Sequence, residues 1–301
     1  MRILILGATG MLGHVLFKEL SKDSNLDVLA TARSVAGLEP FFSDPELQRI
    51  FPGVDADNFD TIIQAFAKTQ PDVVINCIGI IKQLPAAEDP LAVISVNSLL
   101  PHRLAMLAQT AKARLIHIST DCVFDGKRGM YTEEDSSNAA DLYGRTKFLG
   151  EIDYPNCVTL RTSIIGHELK TNLSLVDWFL SQKITVQGFT KAIYSGFSTM
   201  EVARIIRDFV LPNPELSGLF QVSSNPIPKY ELLEIIRAAY DKNIELLPDD
   251  RVVVDRSLDS SRFQQVTGYR TPEWNVMVKA MSEHFLSDPA YRNKPFRSGY
   301  V

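Results

Sequence analysis

Ile3-Leu4-Ile5-Leu6-Gly7-Ala8-Thr9-Gly10-Met11-Leu12-Gly13 is the stretch on which the fold turns. Four consecutive apolar residues suit a strand buried on both faces, and helical spacing starts at Met11. The turn between them carries glycines in the pattern G-x-x-G-x-x-G. Glycine lets the backbone turn tightly, admits a pyrophosphate without a Cβ in the way and lets the helix pack on the strand. The helix N-terminus then faces the phosphates. Gly7, Thr9, Gly10, Met11 and Leu12 are therefore expected to hold a dinucleotide.

The rhythm set by that unit continues. Apolar runs at Asp27 to Thr31, Val73 to Cys77 and Leu115 to Ser119 alternate with helical patterns from Asn58 to Lys68, Leu91 to Lys112 and Leu142 to Ile152. Nearly all-apolar strands separated by helices predict an α/β fold, a Rossmann-type doubly wound parallel sheet. After a further strand, Cys157 to Arg161, the pattern loosens and prolines gather at Pro212, Pro214, Pro226 and Pro228. The helix Thr199 to Val210 reads as a return to the core, while Tyr230 to Tyr240 and Glu273 to Leu286 read as helices of a smaller lobe. The expected division is an NAD(P)-binding domain from 1–160 plus about 188–215, and a discontinuous substrate-binding lobe from about 161–187 and 216–301.

The choice of nicotinamide cofactor rests on the end of the second strand, Leu29-Ala30-Thr31-Ala32-Arg33-Ser34. An acidic side chain there would take the ribose 2′-hydroxyl and repel a 2′-phosphate. No acid is present. Arg33 and Ser34 instead offer a guanidinium and a hydroxyl, so NADPH is favoured, with NADH as the alternative. Asp55, with Ala56 beside it, follows the next short strand and could accept from the adenine amino group, although a capping role for Asp57 or Asn58 is equally simple. At the end of the fourth strand, Cys77, Ile78 and Gly79 are small or apolar residues suited to close passage by a ribose, Cys77 packing rather than reacting.

Tyr143-Gly-Arg-Thr-Lys147 places a phenol and an ammonium four residues apart in a helical segment. At that spacing the two side chains share a face, about 5–6 Å apart at Cβ, so the cation is expected to lower the phenol's proton affinity. Upstream, Ser119-Thr120-Asp121 closes a strand. The order of glycine turn, hydroxyl cluster and Tyr/Lys pair is that of a nicotinamide-dependent reductase.

These segments resemble the extended short-chain dehydrogenase/reductases, most closely those like dTDP-4-dehydrorhamnose reductase. The resemblance rests on Gly7 to Gly13, on Val74-Ile-Asn-Cys-Ile-Gly79 with Val96-Asn97, on Ser119 to Gly126, and on Tyr143 to Glu151. Arg161 to Gly166 and Arg256-Ser-Leu-Asp-Ser-Ser-Arg262 extend it. It implies reduction of a 4-keto sugar nucleotide, with Thr120 hydrogen-bonded to the substrate carbonyl and Tyr143 as proton donor. Lys147 would bind the nicotinamide ribose and depress the phenol from its ordinary ~10. It also implies Asp121 and Cys122 beside the sugar, Asn172 and Arg256 near the diphosphate, and Lys82 directed toward the same cleft. A homodimer through the helices at Leu91 to Lys112 and Leu142 to Ile152 is implied, with Leu99, Leu104, Leu107 and Leu149 as contributors, although core packing accounts for the same leucines.

Departures from the pattern bear on the substrate. Cys122 stands where many such reductases carry an aromatic residue, and Ile193-Tyr-Ser-Gly-Phe197 does not keep a Gly-x-Pro-Thr turn. The glutamate that related dehydratases place after the aspartate is replaced by Cys122, which argues against elimination of water. Epimerase/reductases of the superfamily use a cysteine there together with a histidine, for which His167 is the candidate. A second alternative, from a different class, is a non-catalytic NADP-binding protein resembling the regulatory subunit of methionine adenosyltransferase.

Composition narrows the rest. The 301 residues are 45% hydrophobic with a formal net charge of -5, and no basic cluster suggests nucleic acid or an anionic membrane. Three cysteines make neither a zinc spacing nor a disulfide framework, and no metal site is expected; Glu133-Glu134-Asp135 reads as a capping run. With an apolar strand directly after Met1-Arg2 and no apolar run of membrane-spanning length, the expected location is the cytoplasm.

Overall fold

The computed structural model describes residues 1–291. Its first half runs β1 (Arg2–Leu6), α1 (Met11–Leu20), β2 (Asp27–Thr31), the single turn α2 (Asp44–Leu47), β3 (Ile50–Phe51), α3 (Phe59–Thr69) and β4 (Val73–Asn76). A long helix follows, built from α4 (Pro90–Val93), a π-helical stretch (Ile94–Leu99) and α5 (Leu100–Ala111), then β5 (Arg114–Thr120), α6 (Leu142–Leu149) and β6 (Cys157–Thr162). Next come β7 (Ile164–Ile165), α7 (Leu175–Ser181), β8 (Thr185–Phe189), β9 (Ala192–Tyr194), β10 (Phe197–Ser198), α8 (Thr199–Ile205) with a π-helical extension, and β11 (Gly218–Gln221). The chain closes with β12 (Ile227–Pro228), α9 (Lys229–Ala239), β13 (Glu245–Asp249), β14 (Val254–Asp255), α10 (Ser261–Thr267) and α11 (Trp274–Ser287).

Seven strands form one sheet in the order β11-β6-β5-β4-β1-β2-β3, and every neighbouring pair is parallel. The order reverses between β1 and β4, so the crevice at the carboxyl ends of these strands is the topological switch point where α/β sheets bind ligands. Ile3 and Ile5 face a core completed by α1, α8, α9 and α11, whereas Leu4 and Leu6 face one completed by Ile62 of α3 and Leu104 of α5. Alternate residues of one strand thus feed two cores, which is why the strands read as continuous apolar runs.

Within the segment expected to belong to the lobe, Gly218–Gln221 forms the outermost strand of this sheet, with Phe220 buried in the core. Beyond it, β12, β9 and β14 make one small sheet and β13 pairs with β8. The lobe's Leu232, Ile236 and Phe285 belong to the same continuous core as Ile3 and Ile5. Helix α6 stops at Leu149 rather than Ile152, and a Cβ on Gly150 would lie 1.9 Å from the Asn97 carbonyl oxygen.

Of the four leucines weighed between a dimer face and the core, Leu104 is fully buried and the partly buried Leu107 packs against the core. Leu99 and Leu149 are 51% and 59% exposed, with Leu91, Met106 and Phe148 also open on the same helices. Among the described residues one helix, Pro90–Ala111, is long and apolar enough to cross a membrane, and half of its apolar stretch is buried within the fold.

Candidate active site

The glycine turn shows where a ligand can approach. Gly7 has φ +90°, a left-handed conformation open to glycine, and a Cβ on Gly13 would lie 2.0 Å from the Gly7 carbonyl oxygen. Both positions are fixed by the fold itself. Gly10 differs: the nearest protein atom to a Cβ there would be 3.6 Å away. Gly10 also occupies the N-cap of α1, which no side chain caps. An open approach to an uncapped helix N-terminus fits a pyrophosphate, with Thr9, Met11 and Leu12 around it.

At the end of β2, Arg33 and Ser34 are exposed; the Ser34 hydroxyl accepts from the Ala36 amide at 3.1 Å. The Asp55 carboxylate accepts from the Asp57 amide at 3.1 Å in a local turn, and Asn58, at the N-cap of α3, makes no side-chain cap. After β4, Asn97 grips the backbone of Ile80, accepting from its N–H and donating to its carbonyl, both at 2.9 Å. This clamp sets the course of the segment Cys77-Ile78-Gly79. Burial pushes the Cys77 thiol up to about 12, consistent with a packing role.

Thr120, Asp121, Cys122 and Tyr143 meet at the carboxyl end of β5. The approach requires Gly144, because a Cβ there would lie 2.2 Å from the Cys122 carbonyl oxygen; the first turn of α6 can therefore rest on the end of β5. Thr120 Oγ1 donates to Asp121 Oδ1 at 3.1 Å and lies near enough to act on the Tyr143 phenol. Burial raises the Asp121 carboxyl against the pull of Thr120, Arg256 and Lys229.

The expectation of a phenol depressed by Lys147 is corrected here. Tyr143 is held above its ordinary value, first by burial and then by Cys122, Asp121 and Asp141, with Thr120 opposing. Lys147 donates to the Ile118 carbonyl at 2.8 Å and burial lowers its ammonium to about 8, with Glu151 opposing. Helical spacing put the two residues on one face, but burial outweighs a charge whose hydrogen bond goes to the strand below.

Glu151 organises what lies beneath. It accepts from Ser119 Oγ at 2.7 Å and takes a two-pronged bond from Arg161 at 2.7 and 2.6 Å, all well buried. Its place in the quoted motif was visible in sequence; its link to Ser119 and Arg161 needed the β5–β6 pairing.

Cations enter from distant segments. Lys82 donates to Asp141 Oδ2 at 2.9 Å and sits 5.4 Å from the Tyr143 ring centroid. Arg256 donates to the Phe124 carbonyl at 2.8 Å and acts electrostatically on Asp121, Cys122 and Asp141. It is delivered by a zipper in which Leu258 bridges Tyr131, and Phe124 stacks on Tyr131 at 4.1 Å. Lys229, overlooked in the sequence, opens α9 and acts on Asp121; no side-chain hydrogen bond or ion pair engages it among the described residues. Tyr194 of β9, also overlooked, is buried and electrostatically coupled to Asp121 and Cys122.

Asn172 lies in the loop before α7, where Glu168 accepts from the Leu173 and Ser174 amides at 2.6 and 3.0 Å. His167 is corrected as a proton-transfer partner for Cys122. Its ring nitrogens meet Asp177 at 2.5 Å and Tyr240 at 2.7 Å, and it stacks on Phe285 in the lobe core. Burial, then Asp121, pushes the Cys122 thiol up to about 12. Among the described residues no three His, Cys, Asp or Glu side chains gather as a metal-holding group. In the acidic run, Asp135 accepts from the Thr132 amide at 2.7 Å and Glu133 from the Gln221 amide at 2.8 Å.

Residues 1–183 match the family model described as RmlD substrate binding domain. Methionine adenosyltransferase 2 subunit beta of Danio rerio is 30% identical over 254 residues, covering 80% of this chain and 74% of that protein. The dTDP-4-dehydrorhamnose reductase of Aggregatibacter actinomycetemcomitans is 25% identical over 303 residues, covering 92% of this chain and 97% of that protein. Among solved structures, the dTDP-4-dehydrorhamnose reductase of Bacillus anthracis in complex with NADP shares the fold, with a TM-score of 0.75 at 20% identity over 93% of this chain and 98% of that one.

Proposed function

The chain belongs to the RmlD substrate binding domain family, and from that premise we propose that it is an NADPH-dependent reductase of a 4-keto deoxysugar nucleotide, working in the cytoplasm as a homodimer in the supply of a deoxysugar for polysaccharide. The observation that carries this reading is the meeting of Thr120 and Tyr143 at the end of β5, two strands from the glycine turn that ends β1. NADPH, when bound, supplies the hydride. Gly7, Thr9, Gly10, Met11 and Leu12 would hold its pyrophosphate, Arg33 and Ser34 the 2′-phosphate, and Lys147 the nicotinamide ribose. Asp55 and Ala56 would lie toward the adenine, and Cys77 to Gly79 along the nearer ribose.

Hydride addition turns a carbonyl oxygen into an alkoxide, so the site must present donors where that charge develops. Thr120 Oγ1 holds the carbonyl, and the Tyr143 hydroxyl gives its proton to the new alkoxide. A phenol held above its ordinary value stays protonated across the neutral range, as a proton donor must. Arg256 and Lys229 flank the cleft with charge suited to the diphosphate, and Asn172 supplies an amide nearby. Leu99 and Leu149, open on adjacent helices, would meet the second subunit.

The test is cofactor fluorescence. NADPH is expected to bind more tightly than NADH, with Arg33→Ala erasing the difference, and its signal to decay when a 4-keto sugar nucleotide is added. A second reading is favoured by the similarity to methionine adenosyltransferase 2 subunit beta: a cofactor-binding regulatory protein without turnover. Tight NADPH binding with no oxidation across a panel of keto-sugar nucleotides would replace the first reading with the second.

A further inference from the structure

We propose that Lys82 is a positioning residue for Tyr143: its ammonium, held over the ring by Asp141, favours the phenolate that proton donation leaves behind. The proposal rests on the reading of Tyr143 as the proton donor. Lys82 Nζ stands 5.4 Å from the ring centroid and donates to Asp141 Oδ2 at 2.9 Å. The other carboxylate oxygen, Oδ1, accepts from the Gly144 amide at 2.8 Å, in the first turn of the helix that bears Tyr143. One carboxylate therefore both caps that helix and holds the cation that covers its tyrosine. The bridge links the loop after β4 to α6 across 59 residues of sequence.

Lys82 and Asp141 are 37% and 46% exposed, so the pair adds little to stability; its effect is on the local field. Around the phenol stand Thr120, Asp121 and Cys122 from the end of β5 and Asp141 from its own helix. Arg256, from the lobe, acts on Asp121, Cys122 and Asp141. Lys147 is turned to the Ile118 carbonyl. Lys82 is thus the cation at the ring face, where it is attracted by the π-system and more strongly by a phenolate.

The step balances. NADPH, when bound, would supply the hydride for the new C–H bond, and its oxidation would match the reduction of the carbonyl. The Tyr143 O–H bond breaks as the alkoxide O–H forms, and its electron pair stays on the phenolate oxygen until water returns a proton. Lys82 stabilises that oxygen during the interval.

Nitration by tetranitromethane consumes phenolate, so its rate at one pH, followed by mass spectrometry of the Tyr143 peptide, reads the phenolate fraction without any substrate. Lys82→Gln is expected to slow nitration of Tyr143 roughly three- to tenfold, and Lys82→Arg to keep the wild-type rate. An unchanged rate in Lys82→Gln overturns the proposal, and so does a faster one, which would mean that Lys82 merely shields the ring. Because no sugar nucleotide is used, a positive result alongside failed turnover would remove the reductase reading alone.

Discussion

The glycine turn and the Tyr143 cleft lie two strands apart on the same sheet edge and are made by opposite means. In the turn, shape is set by backbone: the φ of +90° at Gly7 and the close passage of Gly13 over the Gly7 carbonyl leave no role for side-chain charge. In the cleft, Lys82, Asp121, Arg256 and Lys229 arrive from four separate segments, and field rather than shape distinguishes one position from the next. The first kind of site should be intolerant of a single methyl and indifferent to charge reversal nearby. The second should respond to charge at Lys82, Asp121, Arg256 and Lys229, and is closed to a methyl at Gly144, where the backbone of α6 rests on β5.

The largest effect is expected at the cleft. Tyr143→Phe keeps the ring and removes only the proton, so reduction should fall by roughly 10²–10⁴-fold while NADPH affinity, measured by fluorescence titration, stays unchanged. Equal losses in both would make the phenol a packing element and erase the distinction between the two regions.

At the turn, a pair of alanines separates fold from ligand. Gly13→Ala drives a Cβ to 2.0 Å from the Gly7 oxygen, so denaturant unfolding should show a loss of about 1–3 kcal/mol. Gly10→Ala meets no protein atom nearer than 3.6 Å. Its stability should stay at the wild-type value while NADPH binding weakens about tenfold or more through lost amide contacts to the phosphates. Destabilisation by both variants would mean that Gly10 serves the fold as well.

The two regions also differ in how far sequence reveals them. Helix Met11–Leu20 and strand Asp27–Thr31 fall where apolar spacing put them, because strands buried on both faces write an uninterrupted signal. The glycine turn is local, so its consequences were legible in seven consecutive residues. Lys229 was not: it resembles any lysine in a first helical turn until the pairing of β12 with β9 brings the start of α9 toward Asp121. Strands of two or three residues such as β7, β10 and β12 carry no periodicity. Spacing placed Tyr143 and Lys147 on one face, but where the lysine's Nζ points depends on the carbonyl of Ile118, two elements away.

Behind the turn, α1 is tied to the end of the described chain through His14, whose Nε2 meets the Tyr291 hydroxyl at 2.6 Å. Burial lowers His14 from 6.5 to about 4. The unfolded chain therefore binds a proton that the native chain refuses across that interval. This contribution is intact above pH 6.5 and is lost as pH falls, to a total of about 3 kcal/mol, with buried His117 shifted in the same direction. Denaturant titrations from pH 7 to 4 should show this slope in the wild type and a shallower one in Tyr291→Phe, where His14 regains a freer choice of charge. A flat profile would mean that α1 is not anchored by a neutral histidine.

The smallest effect is expected at Cys122, where the cleft could have hidden a second chemistry. Epimerisation needs a group that takes a proton from carbon and another that returns it on the opposite face. The Cys122 thiol is pushed up to about 12 by burial and Asp121, and so resists the thiolate form. His167 is held between Asp177 and Tyr240 in the lobe core. Cys122→Ser keeps the size and the weak donor, so turnover should stay within about twofold of wild type. Products formed in deuterated water should carry no deuterium at the carbons beside the carbonyl. Deuterium at those carbons in the wild type, lost in the serine variant, would assign the cysteine a catalytic part and make the cleft a site of acid-base chemistry on carbon as well as on oxygen.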